Sequence, residues 1–434
     1  MARGIKNIPW QNSSERGDKK HPGNKMHPEE FHPNLVGRHR IGSLWQVVFQ
    51  ASSIVGIIAL IALLYNIVNG AFGFVAIQNN VDPDTLAMNG VAVEALSKEQ
   101  LMQILQENVS KGLFRRLEHD QPFAERTREN VYELVVERVV EPRVVQTWSL
   151  YDSLFNQAAI QAEAAEEYPG AEIKFVSWIN PAFITAPQSA DPERAGVRTA
   201  ILGSLWTVAI TVLFAFPLGV GASIYLEEYA ADTFVNRIIQ TNINNLAGVP
   251  SIIYGMLGLA IFVRALEPLT SGTISGLVDP TTANGRTVLS AGLTLGLLIL
   301  PLIIINAQEA IRAVPDSLRK ASYGLGATKW QTVWHHVLPN ALPGILTGTI
   351  LAVSRAIGET APLVVVGAST FITVDPTSLF SKFTTLPIQI YQWTARPQDE
   401  FRNIAAAAII VLLILLLSLN ATAVLLRNRY SRRM

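Results

Sequence analysis

The chain has 434 residues, of which 49% are hydrophobic and only 16% charged, and its formal net charge is zero. That apolar balance fits a membrane protein with soluble parts, and a neutral total supplies no global basic field for nucleic acid. The sequence contains no cysteine, which excludes disulfides, thiol catalysis and the usual zinc or iron–sulfur centres.

Residues 1–43 are rich in His, Pro, Asn and Lys and have no apolar period, which predicts a disordered tail. The spacings of His21, His27, His32 and His39 match no metal-ligand template. A first membrane helix is expected over 44–75, its apolar core at Leu44–Val68. Its length and the polar stretch ahead of it suit a signal anchor rather than a cleaved signal peptide.

An inserted domain follows over 76–198. Its polar part carries 11 Lys plus Arg against 19 Asp plus Glu, a net charge of −8 over residues 81–198. "ALSKEQLMQIL" opens with a capping-box pattern, Ser97 with Gln100, before Leu101, Ile104 and Leu105 at helical spacing. "SLYDSLFNQAAIQAEAAEEY" is a second helix candidate. "VYELVVERVVEPRVV" and "IKFVSWI" are β-branched and predict strands, so a small α+β domain is expected. Its acidity suits either a solvated domain or a docking surface for a partner.

Residues 199–430 predict a membrane core with five more spans near Ala200–Leu226, Ile243–Val263, Val288–Ala307, Leu342–Phe371 and Ile404–Leu426. Basic residues number 17 on the side of the two termini and 5 in the short loops opposite. The positive-inside rule then places both termini in the cytoplasm and the inserted domain outside.

The loop 309–340 lies between the fourth and fifth spans. Leu318, Ala321, Ser322 and Leu325 form one helical stripe, and Trp330, Val333, Trp334, Val337 and Leu338 form another. Gln331, Thr332, His335 and His336 fall on the opposite face of the second helix. Pro315 suits a first helical turn, Gly326 permits a bend, and Pro339 is expected to stop the second helix. Two short amphipathic helices suit either the membrane surface or a groove on another protein, and Lys329 alone beside the second stripe favours the groove.

Arg355 and Glu359 stand four residues apart inside an apolar run, so they share one helix face. A charged side chain at the bilayer centre costs roughly 2.5–3.5 kcal/mol on insertion scales. One reading is a structural ion pair between helices. The other makes Arg355 a bidentate ligand for a passing anion, with Glu359 competing for it. Thr360 follows directly. Ser251 and Tyr254 follow Pro250 in the third span and either pack helices or line a cavity. Glu309 and Arg312 read as a salt bridge at the end of the fourth span.

"KASYGLGATKWQTVWHHVLP" resembles the coupling loop of ABC importer permeases: a Glu-Ala-Ala triplet, three residues, a glycine, nine residues, then Ile, any residue, Leu-Pro. Lys320, Ala321 and Ser322 occupy the triplet; Gly326, Leu338 and Pro339 are in register, and His336 replaces the usual Ile. "NNLAGVPSIIYGMLGL", "SRAIGETAPL" and "AGVRTAILGSLWTV" are similar to phosphate-importer permeases of the PstA type and their PstC companions. The resemblance covers roughly residues 196–426. It implies an all-α type I ABC importer permease with six transmembrane helices in the bacterial inner membrane, moving inorganic phosphate inward. It further implies a PstC-like second permease, two PstB-like ATPases and a PstS-like binding protein. No cofactor is expected on this chain: it has no Walker loop, so ATP and Mg would sit on the partner. The rival readings are a permease for sulfate or molybdate, and a membrane-anchored sensor using the inserted domain.

Overall fold

The computed structural model describes residues 35–88, 90–274, 276–277, 285–368 and 371–431. The chain falls into two compact units, one ending at Ile61 and one beginning at Ala62. Helix α1, Leu35–Ala71, begins nine residues ahead of the expected start at 44, so residues 35–43 are helical. His39 stands on it, whereas His21, His27 and His32 lie outside the described residues. In the first unit Leu44, Phe49, Ile54, Ile57 and Leu60 are all more than half exposed, as a helix whose apolar sides meet lipid must be.

At Phe72 the helix gives way to strand β1, Phe72–Asn79, so the expected helix of 44–75 ends short. Sequence reading missed this strand, because its apolar residues continue the span without a break. The inserted domain then forms α2 (Lys98–Asn108), α3 (Lys111–Asp120), α4 (Arg128–Val135), β2 (Pro142–Thr147), α5 (Leu150–Phe155), α6 (Gln157–Glu167), β3 (Glu172–Ser177) and α7 (Pro181–Thr185). The strands make one antiparallel sheet in the order β2-β1-β3.

The capping box at Ser97 and Gln100 forms in both directions, and Leu101, Ile104 and Leu105 are buried. By contrast "VYELVVERVV" is helix α4 with a wide π-type turn at Val136–Val140, and only the stretch from Pro142 is strand. Thr127 caps α4, and Val131, Leu134 and Val135 pack on Leu101, Ile104 and Leu105. Tertiary burial outweighs the β preference of the valines. The alanine-rich candidate splits at Asn156 into α5 and α6.

The core comprises α8 (Arg198–Ile224), α9 (Phe234–Ala247), α10 (Ser251–Gly258), α11 (Glu267–Thr270), α12 (Val288–Arg312), α13 (Asp316–Gly324), α14 (Lys329–Thr332), α15 (Leu338–Gly358), α16 (Ala361–Val366), α17 (Leu386–Thr394) and α18 (Asp399–Ser431). Among the described residues, five helices are long and apolar enough to cross a membrane, six if the bent pair of α9 with 251–265 counts as one. That pair is the expected third span, broken by 107°. Gly248 and Pro250 sit at the break, where proline removes a donor and glycine relaxes the backbone.

Without water to drive them together, membrane helices associate through small residues that let backbones approach. A Cβ on Gly292 would meet Ile210 at 2.6 Å, one on Gly296 would meet Phe214 at 2.6 Å, and one on Gly219 would meet Ile303 at 2.6 Å. These contacts advance together along both chains, so α8 and α12 run parallel. Thr211 Oγ1 donates to the Gly292 carbonyl at 3.0 Å across the same seam. Gly344 packs on Ala310 and Gly348 on Asn306, which makes α15 antiparallel to α12. Ser354 Oγ donates to Asn420 Oδ1 at 2.7 Å, and Arg427 reaches Thr347, so α18 is antiparallel to α15.

The two ends of the bundle differ. At one end the sheet and the starts of α8 and α18 share a core of Val75, Trp178, Val197, Ala200, Phe401 and Ile404. At the other, Ile311, Val314, Val337 and Ala341 pack under the α12–α15 loop.

The closest approach gives a test. A Cβ on Gly203 would lie 2.0 Å from the Thr384 carbonyl oxygen, whereas one on Gly221 of the same helix meets nothing within 4 Å. Gly203→Ala is expected to cost about 1–3 kcal/mol by overpacking and to lower the melting temperature in detergent, with Gly221→Ala unchanged.

Candidate functional site

Helix α15 stops at Gly358, and Glu359 already has extended geometry at φ −76° and ψ 123°. The expected fifth span of 342–371 is therefore interrupted at Glu359 and Thr360, after which α16 restarts at Ala361. The Arg355–Glu359 contact forms all the same, Nε to Oε1 at 3.3 Å. It is a single bond rather than a bidentate clasp. The arginine side chain is 45% exposed and the glutamate 17%.

Depth follows from helix register. Extending the Gly344–Ala310 and Gly348–Asn306 contacts by whole turns sets Arg355 level with Ile299, close to the middle of α12. The bend between α9 and α10 lies at a similar level: Gln240 exchanges hydrogen bonds with Gln308 on one side of it, at 3.1 and 2.8 Å, and Gly258 packs against Thr294 on the other. A Cβ on Gly255 would be 2.7 Å from Pro362 Cα, so α10 and α16 are in backbone contact. Two broken helices thus meet beside Arg355. Broken backbone at membrane depth is tolerated where protein buries it or where it lines a water-filled cavity.

Tyr254 is buried, and its hydroxyl donates to the Leu246 carbonyl at 2.8 Å across the bend. That bond staples α9 to α10 and occupies the hydroxyl. Ser251 is the half-buried first residue of α10, and Thr360 is half-buried at the start of α16. A cleft of about 850 Å³ lies elsewhere, between the inserted domain and the start of α18, lined by Glu137, Arg138, Glu193, Arg194, Glu400 and Phe401 among others. It shares no residue with the mid-depth group.

In the loop, Gly326 has φ +83° and turns the chain between α13 and α14. Thr328 and Gln331 form a capping box on α14. Two expectations fail here. Pro339 does not stop the second helix: Lys329–Gly358 runs on through a wide turn at Val333–Val337, with Pro339 in the first turn of α15. The wide turn just ahead of it has already shifted the hydrogen-bond ladder, which accommodates the proline ring within the continuing helix. The apolar faces also differ. Ser322 and Thr332 are buried and bonded to each other at 2.8 Å, and Val333 and Val337 are buried with them. Leu325 is 91% exposed, Trp330 56% and Trp334 52%, and the two indoles stack at 5.4 Å. Lys320 and Ala321 are exposed as well, while Leu338 is half-buried.

An ion pair that sequence reading missed holds this loop. Arg319 donates to Glu228 Oε1 at 2.8 and 3.1 Å and to the carbonyls of Val314 and Ile311 at 2.7 and 2.9 Å. Its side chain is 15% exposed and that of Glu228 6%. Glu228 lies 91 residues before Arg319, beyond any local pattern. Arg312 does pair with Glu309 at 3.4 Å, as its spacing predicts, but more closely with Glu227 at 2.6 Å. Lys329 Nζ lies 5.2 Å from the Tyr229 ring centre. Both loop helices are thereby tied to the end of α8. Arg319→Ala is expected to cost about 3–5 kcal/mol by leaving a buried carboxylate unpaired. Melting and proteolysis near Gly326 would show this, and the Arg319→Met/Glu228→Leu double variant is expected to lose less.

The family model for binding-protein-dependent transport system inner membrane components matches residues 215–434. A probable ABC transporter permease, YqgI of Bacillus subtilis, is 32% identical over 247 residues, covering 54% of this chain and 78% of its own. The phosphate transport system permease PstA 1 of Mycobacterium tuberculosis is 35% identical over 240 residues, covering 54% and 72%. PstC of Pasteurella multocida is 33% identical over 208 residues, covering 45% and 62%. These matches set aside the sensor reading. The chain belongs to the binding-protein-dependent transport system inner membrane components: it is a multi-pass, non-catalytic permease subunit of an ABC importer, with the ATPase on a separate chain.

Proposed function

We propose that this permease passes inorganic phosphate inward, with Arg355 on the substrate path. The observation that carries the reading is the half-exposed Arg355 guanidinium, held by one bond to Glu359 at the depth where two helices break. Arginine binds tetrahedral oxyanions through paired donors. A carboxylate in single-point contact can neutralise the cation when the path is empty and yield it when an anion arrives. Release requires that binding stay weak, and the returning carboxylate weakens it. The names of the PstA and PstC relatives favour phosphate over sulfate or molybdate.

The charge asymmetry of the loops orients the chain with both termini and the α12–α15 loop in the cytoplasm and the inserted domain outside. Leu325, Trp330 and Trp334 then face the cytoplasm as an apolar surface for a PstB-like ATPase. A PstC-like permease completes the path, and a PstS-like protein delivers the anion. Lys320 stands where the family's triplet is acidic, so the contact made there differs in charge from the usual one.

In cells lacking the chain, wild type is expected to restore radiolabelled phosphate uptake without restoring sulfate uptake. Arg355→Ala is expected to assemble normally and lose at least tenfold in uptake, the effect of about 1.4 kcal/mol, with Arg355→Lys between the two. Restoration of sulfate uptake alone would sink the phosphate assignment. The Trp330→Ala/Trp334→Ala variant is expected to purify without its ATPase, as measured by subunit stoichiometry.

A further inference from the structure

The short helix α5 presents Tyr151, Leu154 and Phe155 at 50, 59 and 72% exposure, and the two rings pack at 5.0 Å. The i, i+3, i+4 spacing puts all three on one face, while Ser153 on the other face is buried and accepts a bond from Phe74 N at 2.8 Å. Phe175 of β3, 47% exposed, packs edge-on to Phe74 at 5.6 Å. Asp152 is the charged residue of α5, and its carboxylate is taken up by Ser149 and Asn156 at 2.6 and 3.1 Å. An uncharged aromatic face is out of keeping with a domain whose net charge is −8.

Its position names the occupant. The Tyr151 amide donates to Asn69 Oδ1 at 2.7 Å, which fixes the start of α5 to the last turns of α1. One turn earlier α1 exposes Leu63, Leu64 and Tyr65 at 59, 47 and 55%. Asn66 and Asn69 are the first polar residues after that apolar run, so the hydrocarbon edge crosses α1 here. Gly70 packs on Ala406 of α18 at 3.4 Å, one turn from the exposed Arg402–Asp399 pair that marks the same boundary. The α5 face therefore continues the lipid-facing surface of α1 at the level where aromatic side chains collect in membranes.

We infer that Tyr151, Leu154 and Phe155 seat the inserted domain in the lipid headgroup layer at the sheet end of the bundle. The domain is then moored to the bilayer at a second point beside α1. Its orientation over the helices is fixed by lipid as well as by the sheet.

The cysteine-free chain makes the test direct. Single cysteines replace Phe155 (F155C) or Leu154 (L154C), with Leu63→Cys as lipid reference and Glu166→Cys as water reference. Each carries a nitroxide in the full complex, reconstituted in phosphatidylethanolamine–phosphatidylglycerol liposomes. The ratio of oxygen to nickel-chelate accessibility at 154 and 155 is expected to lie several-fold above that at 166, approaching the value at 63. A ratio at both sites equal to that at 166 overturns the inference in favour of a solvated face. Protection from both reagents overturns it in favour of a protein partner.

Discussion

The seam between α8 and α12 is the contact on which the rest of the molecule depends. Small residues at Gly219, Gly292 and Gly296 bring the two helices together over about three turns, and Thr211 bonds across them at 3.0 Å. In lipid such closeness is the source of association, since apolar surface gains nothing by leaving hydrocarbon for protein. Helix α12 is buried along most of its length because α9–α10, α15 and α8 all pack on it. It acts as the ruler against which the other helices are registered. The two helix breaks fall at one depth because both flanking helices are held to this ruler by close contacts above and below.

That arrangement gives the Arg355–Glu359 pair its character. Were it a packing lock, both partners would be buried and multiply bonded, as Arg319 and Glu228 are. Instead the arginine is half exposed and the bond is single. Glu359 lies outside the helix that carries Arg355, at the hinge with α16. A change in the angle between α15 and α16 alters their separation directly.

Much of this was legible in the sequence, for reasons that can be named. The span at α12 is continuous and apolar, the Ser97 box satisfies its own backbone groups, and Gly326 takes the left-handed conformation a sharp turn needs. All three are local. What escaped notice depends on distant partners. The valines of α4 are helical because α2 lies against them. Thr332 is buried because Ser322 reaches it across the turn, and the tryptophans beside it turn outward. Strand β1 is hidden in an apolar run that period alone cannot divide. The Arg355–Glu359 spacing was visible, whereas the break that frees Glu359 was not, because Thr360 and Pro362 interrupt the helix without interrupting the hydropathy.

The loop and the mid-depth pair are joined by one continuous helix. From Lys329 to Gly358 the chain makes 30 helical residues without a stop, roughly 45 Å at 1.5 Å per residue. Trp330 stands near one end and Arg355 near the other. The preceding helix α13 is clamped to α8 by Arg319, and α14 is bonded to α13 through Ser322 and Thr332. A push on the tryptophan face therefore cannot be absorbed by flexing of the loop, since no extended residue separates α14 from α15. It is passed along the helix, whose bending points are the wide turn at Val333–Val337 and Pro343, with α8 following through the clamp. The helix ends at Glu359, where the charge pair sits.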